Sequence, residues 1–204
     1  MVINWYGESC FKLQTGETAI LTDPFDAKTG LTPPRLKADI VLKTRIALPL
    51  PYIPEREGAV ISGPGEYEIR GIEFFGLPLK GMLGEKTLES AYLVTAEELR
   101  LGFLGHASDM PDAEILERMG DVDVLFIPAG GAPYLSQELA AKLVKQINPK
   151  IVVASLFKVP KLARKSDAVD AFLKELDQKA EPQEKLVIKK KDLPASLQVF
   201  IPKI

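Results

Sequence analysis

The sequence predicts a mixed α/β (α+β) domain in which two sheets lie sandwiched between helices. Three observations predict it. Short strand-like segments fill the first two thirds of the chain, helix and strand alternate from about residue 109 onward, and neither a linker nor a repeat of roughly 20–50 residues interrupts the order. A chain of 204 residues can bury one sizeable core without dividing, so a single domain is expected over residues 1–204.

Residues 2–6 and 10–14 read as strands. In the second, Phe11 and Leu13 alternate with Lys12 and Gln14, as in a strand buried on one face. Thr15-Gly16-Glu17 is turn chemistry, and Ala19–Thr22 resumes a strand that stops at Asp23-Pro24. Residues 38–44 carry an apolar run expected of a strand buried on both faces. Arg45 to Pro54 contains prolines at 49, 51 and 54, which remove backbone donors and restrict the residues before them, so an irregular loop is expected. With Leu48, Leu50, Tyr52 and Ile53 among those prolines, the loop is expected either to plug a pocket or to form a protein interface. Strands at 59–62 and 66–75 flank the turn Gly63-Pro64-Gly65-Glu66, and 92–95 pairs with 99–104 around Ala96-Glu97-Glu98.

Beyond this point a helix is expected over 111–119, with Ser108 or Asp109 as its cap and Pro111 in its first turn. Strand 123–128, helix 136–147 and strand 150–155 follow; in that helix Leu139, Leu143, Val144 and Ile147 share one stripe. Residues 166–176 place Val169, Phe172, Leu173 and Leu176 at helical spacing. Strands at 186–190 and 197–201 close the chain, and the lysines of 185–191 suit an exposed sheet edge.

Composition excludes several functions. With 26 Lys and Arg against 28 Asp and Glu, no general electrostatic case exists for a nucleic-acid or anionic-membrane partner. One cysteine excludes an internal disulfide, and one histidine excludes any metal site built from several imidazoles. No apolar run approaches the ~18–20 residues of a membrane span. The opening residues carry neither a basic segment nor a long apolar one, so a cytoplasmic location is expected.

Several motifs occur in a telling order: Gly7-Glu8-Ser9-Cys10-Phe11, Ile20-Leu21-Thr22-Asp23-Pro24, Ala38-Asp39-Ile40-Val41-Leu42, Gly63-Pro64-Gly65-Glu66, Leu104-Gly105-His106, and Val122 through Gly131. Together, from residue 1 to about 158, they resemble the small bacterial and archaeal branch of the metallo-β-lactamase superfamily, the zinc-dependent, L-ascorbate-6-phosphate lactonase-like hydrolases. The resemblance implies an αββα sandwich with its active site on the edge formed by loops at the strand ends. It also implies zinc, held by a His-x-His-x-Asp-His loop after the strand that matches Asp39–Thr44. Here the matching positions are Arg45, Ala47, Pro49 and Leu50, none of which can ligate a divalent ion. The bridging Asp matches Phe103, the distal His matches Leu156 or a neighbour, and the early Gly-His-Ser pattern reads Gly7-Glu8-Ser9. No metal and no other cofactor is therefore expected.

His106 is expected to be a partly buried, hydrogen-bonded residue, and Cys10 a core thiol. Glu8, Asp23, Asp26, Glu66, Glu68 and Asp109 could supply an oxygen-only metal site, although turns, caps and a solvent-facing strand account for most of them. Gly130-Gly131 lacks the Lys-Ser/Thr of a phosphate-binding loop. Arg45 stands where the first ligand would be, and Lys158, Lys161, Arg164 and Lys165 follow the strand that would carry the last. A pocket refilled with cations would hold a phosphate or carboxylate without hydrolysing it. The expected function is a non-catalytic binding or interaction scaffold, its partner a protein or a small anion. Candidate binding residues are Arg45, Lys158, Lys161, Arg164, His106 and Glu8. The alternatives are a metal-dependent hydrolase with non-histidine ligands and an anion-binding module.

Overall fold

The computed structural model describes residues 1–49, 58–80 and 86–204. Strands β1 (Val2–Gly7), β2 (Cys10–Thr15) and β3 (Thr18–Thr22) form a meander. Phe11 and Leu13 are buried while Lys12 and Gln14 are half-buried, as the alternation predicts. β4 (Ile40–Lys43) joins β3 in parallel. It is buried on one face only: Ile40 and Leu42 point into the core, whereas Val41 and Lys43 stay half-buried, so burial on both faces does not hold.

The chain then changes sheet within one residue. Lys43 ends β4, Thr44 is buried, and β5 (Arg45–Ala47) pairs with a strand of the other sheet. The expected irregular loop thus begins as a short strand, because none of its prolines precedes residue 49 and the backbone donors of 45–47 remain available. The rest of the proline segment, residues 50–57, lies outside the described residues, and with it the expectation of a plug or interface.

β6 (Ala59–Ser62) pairs in parallel with β4. The single strand expected over 66–75 is in fact a hairpin of β7 (Gly65–Ile69) and β8 (Ile72–Leu79). Its two turn residues, Arg70 and Gly71, both have positive φ, at 55° and 73°. That geometry matches the twist of paired strands, and Gly71 was its sequence signal. β9 (Thr87–Ala96) and β10 (Leu99–Phe103) form the second hairpin, turning at Glu97 and Glu98, also at positive φ.

Parallel strands follow: β11 (Val124–Pro128) beside β10 and β12 (Ile151–Ser155) beside β11, every residue of both buried. α1 (Ala113–Arg118) starts from Asp112; Asp109 instead accepts the N–H of Met110. Neither expected cap serves. α2 (Gln137–Ile147) is capped by Ser136, whose Oγ accepts the N–H of Leu139, and it buries Leu143, Val144 and Ile147. α3 (Asp170–Glu175) is shorter than the predicted helix over 166–176 and buries Phe172 against the core. β13 (Pro182–Gln183), β14 (Lys185–Val187) and β15 (Gln198–Pro202) complete the sheets.

The six-stranded sheet runs β14-β1-β2-β3-β4-β6, the larger one β13-β15-β12-β11-β10-β9-β8-β7 with β5 on β9. Their facing sides share one hydrophobic cluster, in which Trp5 stacks on Phe157, just past β12, and Phe11 meets Phe126 of β11 edge-on, both at 5.0 Å. β14 is an edge, as the lysines of 185–191 predict, and Lys190, exposed and beyond its end, places its Nζ 2.8 Å from Asp123 Oδ2.

Candidate functional site

One cavity of about 420 Å³ opens where the ends of β1, β3, β4 and β10 meet the loop after β11 and the segment before α3. Its walls carry Glu8, Ser9, Asp23, Lys28, Lys43, Arg45, His106, Tyr134 and Arg164. Four of the six sequence candidates, Glu8, Arg45, His106 and Arg164, are therefore brought together. Lys158 and Lys161 are not: both are exposed and lie on the rim of a separate apolar groove, because the chain leaves the cavity after Leu156 and returns to it only at Ala163.

At the floor runs a chain of hydrogen bonds. The Thr44 N–H donates to Asp23 Oδ1 at 2.7 Å, and the Thr44 hydroxyl donates to Asp23 Oδ2 at 2.7 Å. With that proton committed, Thr44 Oγ1 accepts the Nδ1–H of His106 at 2.8 Å. His106 Nε2 is left as an acceptor, and the Ser9 hydroxyl donates to it across 3.3 Å. The tautomer is thus set by what Thr44 can offer. Burial pushes the His106 pKa below its usual value; Asp23 pulls it up, while Arg45 and Arg164 push it further down. The ring is neutral at pH 7. Gly105, at φ +50°, makes room for this packing, since a Cβ there would collide with the Thr44 side chain.

Above the floor the charge is cationic. Arg164 Nη2 meets Glu8 Oε2 at 3.0 Å and the Leu156 carbonyl at 2.8 Å, and its guanidinium lies 5.1 Å over the Tyr134 ring. That pair is self-contained, and it ties together Glu8 and the Leu156 position where a distal ligand was expected. Arg45 Nη1 reaches to 3.5 Å of the Tyr134 hydroxyl. Lys28, Lys43 and Arg45 form no ion pair among the described residues. The backbone partner of Arg45 across β5 and β9 is Glu89, which is 2% exposed with both carboxylate oxygens lacking a hydrogen bond. Burial pushes the Glu89 carboxyl up and Arg45 draws it partly back.

These donors do not fit a di-zinc centre. No group of three or more His, Cys, Asp or Glu converges among the described residues. Each candidate, moreover, is already committed: Asp23 to Thr44, His106 to Thr44 and Ser9, Glu8 to Arg164. Lys28, Lys43 and Arg45, none of them in an ion pair among the described residues, would repel a divalent ion beside them. Cys10 is fully buried and its thiol is pushed up by burial and by Asp23, which leaves it a core residue.

Sequence reasoning missed Ser9, Thr44, Lys28, Lys43 and Tyr134. Three of them adjoined named positions, Ser9 beside Glu8 and Lys43 with Thr44 before Arg45. Lys28 and Tyr134 carried no local signal, since each arrives from a loop whose course depends on tertiary packing.

Comparison with known proteins agrees with this fold. Residues 2–155 match the family of the beta-lactamase superfamily domain. Two UPF0173 proteins, of Pyrococcus abyssi and Pyrococcus furiosus, are each 28% identical over 180 residues, covering 75% of this chain and 81% of theirs. Among solved structures, a Thermotoga maritima protein assigned to the zinc-dependent hydrolases of the metallo-beta-lactamase superfamily superposes with a TM-score of 0.80 at 24% identity, over 98% of this chain and 97% of that one. The metallo-beta-lactamase fold protein YhfI of Bacillus subtilis gives 0.64 at 12% identity, over 98% and 95%. No described helix is long and apolar enough to cross a membrane.

Proposed function

The chain belongs to the metallo-β-lactamase superfamily, and from that premise we propose that its edge cavity binds a small anionic ligand, a phosphate or carboxylate, without a metal ion. The observation that carries this reading is the trio Lys28, Lys43 and Arg45, which face a cavity of about 420 Å³ with no ion pair among the described residues. A planar guanidinium and two ammonium groups around a concave site supply charge-assisted hydrogen bonds to an oxyanion. Arg45 occupies the place where the superfamily resemblance puts the first metal ligand, so one substitution both weakens metal binding and supplies anion affinity. Relatives described as metal-dependent hydrolases share the fold, but function travels with site residues rather than with the scaffold. A cytoplasmic location belongs to the same reading, and its single thiol, buried in the core, needs no oxidising compartment.

Titration calorimetry with inorganic phosphate and with citrate tests it. Binding is expected to weaken with added salt. Arg45→Gln and Lys43→Gln should each lower affinity by about tenfold, the loss of one charge-assisted hydrogen bond. Glutamine is preferred to glutamate at 45 because Glu89 lies directly across the strands. Unchanged affinity in both variants would overturn the reading. So would stoichiometric Zn²⁺ uptake that switches on phosphodiester, lactone or lactam hydrolysis.

A further inference from the structure

We propose that Ser9 and His106 form a nucleophile–base pair, positioned by Thr44 and Asp23, that hydrolyses small carboxylic esters bearing an anionic group. The proposal rests on the anion reading of the cavity for its substrate class alone; the pair itself rests on geometry.

Four side chains stand in one hydrogen-bonded series, Asp23 Oδ2, Thr44 Oγ1, His106 Nδ1 and Nε2, Ser9 Oγ, with separations of 2.7, 2.8 and 3.3 Å. The direction of every bond follows from the donors available. A carboxylate can only accept, so Thr44 gives it a proton and accepts from Nδ1–H, which leaves Nε2 facing the Ser9 hydroxyl. This is the logic of a serine nucleophile whose base is oriented by a carboxylate, with a threonine hydroxyl inserted between base and acid. Ser9 and His106 both line the cavity, and His106 is the only partner of the Ser9 hydroxyl among the described residues. The series draws on separate parts of the fold, the β1–β2 turn and the ends of β3, β4 and β10. Tyr134 lines the same cavity beside His106, its ring edge-on at 5.4 Å, with a hydroxyl that has no acceptor among the described residues and so can donate to an oxyanion. A neutral imidazole is the form a general base requires.

In the first half-reaction Ser9 Oγ bonds to the acyl carbon as its proton passes to His106 Nε2. The bond from that carbon to the alkoxy oxygen then breaks, and the departing alkoxide takes the proton from Nε2 as the alcohol. In the second, water gives a proton to Nε2 and its oxygen bonds to the acyl carbon. The Ser9 ester bond breaks, Ser9 recovers the proton, and the carboxylic acid leaves. Ester and water become acid and alcohol, with no oxidant, reductant or metal.

A fluorophosphonate reagent, whose P–F bond Ser9 Oγ would displace with release of fluoride, tests the pair on the full chain. Intact mass should rise by one adduct per chain, and peptide mapping should place it at Ser9. Ser9→Ala should remove the adduct, and His106→Gln should slow its formation by at least a hundredfold. Labelling by the wild-type chain should fall with acidification as His106 protonates. For Thr44 as a positioning residue, Thr44→Ser should label like wild type while Thr44→Val labels at least tenfold more slowly. Turnover of mono-p-nitrophenyl glutarate over p-nitrophenyl butyrate reports the substrate class. Absence of an adduct on the folded wild-type chain, or an adduct that survives Ser9→Ala, overturns the proposal. Phosphate calorimetry is a separate readout: phosphate binding without labelling refutes the nucleophile alone, and labelling without phosphate binding refutes the anion reading.

Discussion

Replacing Thr44 with valine keeps the volume of the side chain and deletes one hydroxyl, and the structure states what that hydroxyl does. It donates to Asp23 and accepts from His106, whose side chains are 8% and 12% exposed. Water does not readily replace it. The lost bond to a carboxylate is worth about 1.5–3 kcal/mol and the lost imidazole bond about 0.5–1.5. Asp23 keeps the Thr44 N–H at 2.7 Å, which limits the damage. A destabilisation of about 3 kcal/mol follows, or roughly 6–12 °C in melting temperature for a domain of this size. Thr44→Ser is the control, since it keeps the hydroxyl and loses a methyl, at a cost of about 1 kcal/mol. Urea unfolding followed by circular dichroism, with equal m-values across the series, measures both. Equal stability of the serine and valine variants would refute the reasoning, because the hydroxyl would then carry no net energy.

Glu89→Gln should stabilise the protein near pH 8 by a few degrees and leave it unchanged near pH 4. Burial raises the folded-state pKa of Glu89 above its unfolded value, so the wild type loses stability as pH rises from the ordinary glutamate pKa through the raised one. A pH-independent effect in thermal melts would contradict that sign. Arg164→Ala should cost about 3 kcal/mol by leaving Glu8 buried without its partner, whereas Glu8→Gln combined with Arg164→Met should recover most of the loss. Denaturant midpoints decide it, and an additive double variant would show that the pair is not coupled.

The layers of this fold were legible because the driving pattern is local. Phe11 and Leu13 announce a strand by alternation, and the apolar run of 123–128 announces a buried one. Where tertiary context decided, local pattern failed. Residues 166–169 stay outside α3 although Val169 continues its stripe, because Asp167 N–H bonds to the Gly130 carbonyl and the Lys158 N–H to the Asp167 carbonyl. The site divided in the same way. Arg45, Arg164, Glu8 and His106 were found because a resemblance told where to look, while Lys158 and Lys161 were included by sequence adjacency alone. Their neighbour Arg164 turns inward to Glu8; they do not. Thr44 was overlooked because its role exists only after two sheets have met.

That crossing residue has a kinetic consequence. Thr44 is the point where the chain steps from one sheet to the other, and its carbonyl accepts the Ser90 N–H at 2.8 Å while its side chain grips Asp23 and His106. Separating the layers breaks the bonds to Ser90 and His106 together, while the bond to Asp23, at the end of the neighbouring strand of the same sheet, stays. Contacts made between layers form when the sheets dock and are lost when they part. An occupant of the neighbouring hollow would therefore act as a brake on coming apart, lengthening the lifetime of the native state while leaving the speed of its formation almost untouched.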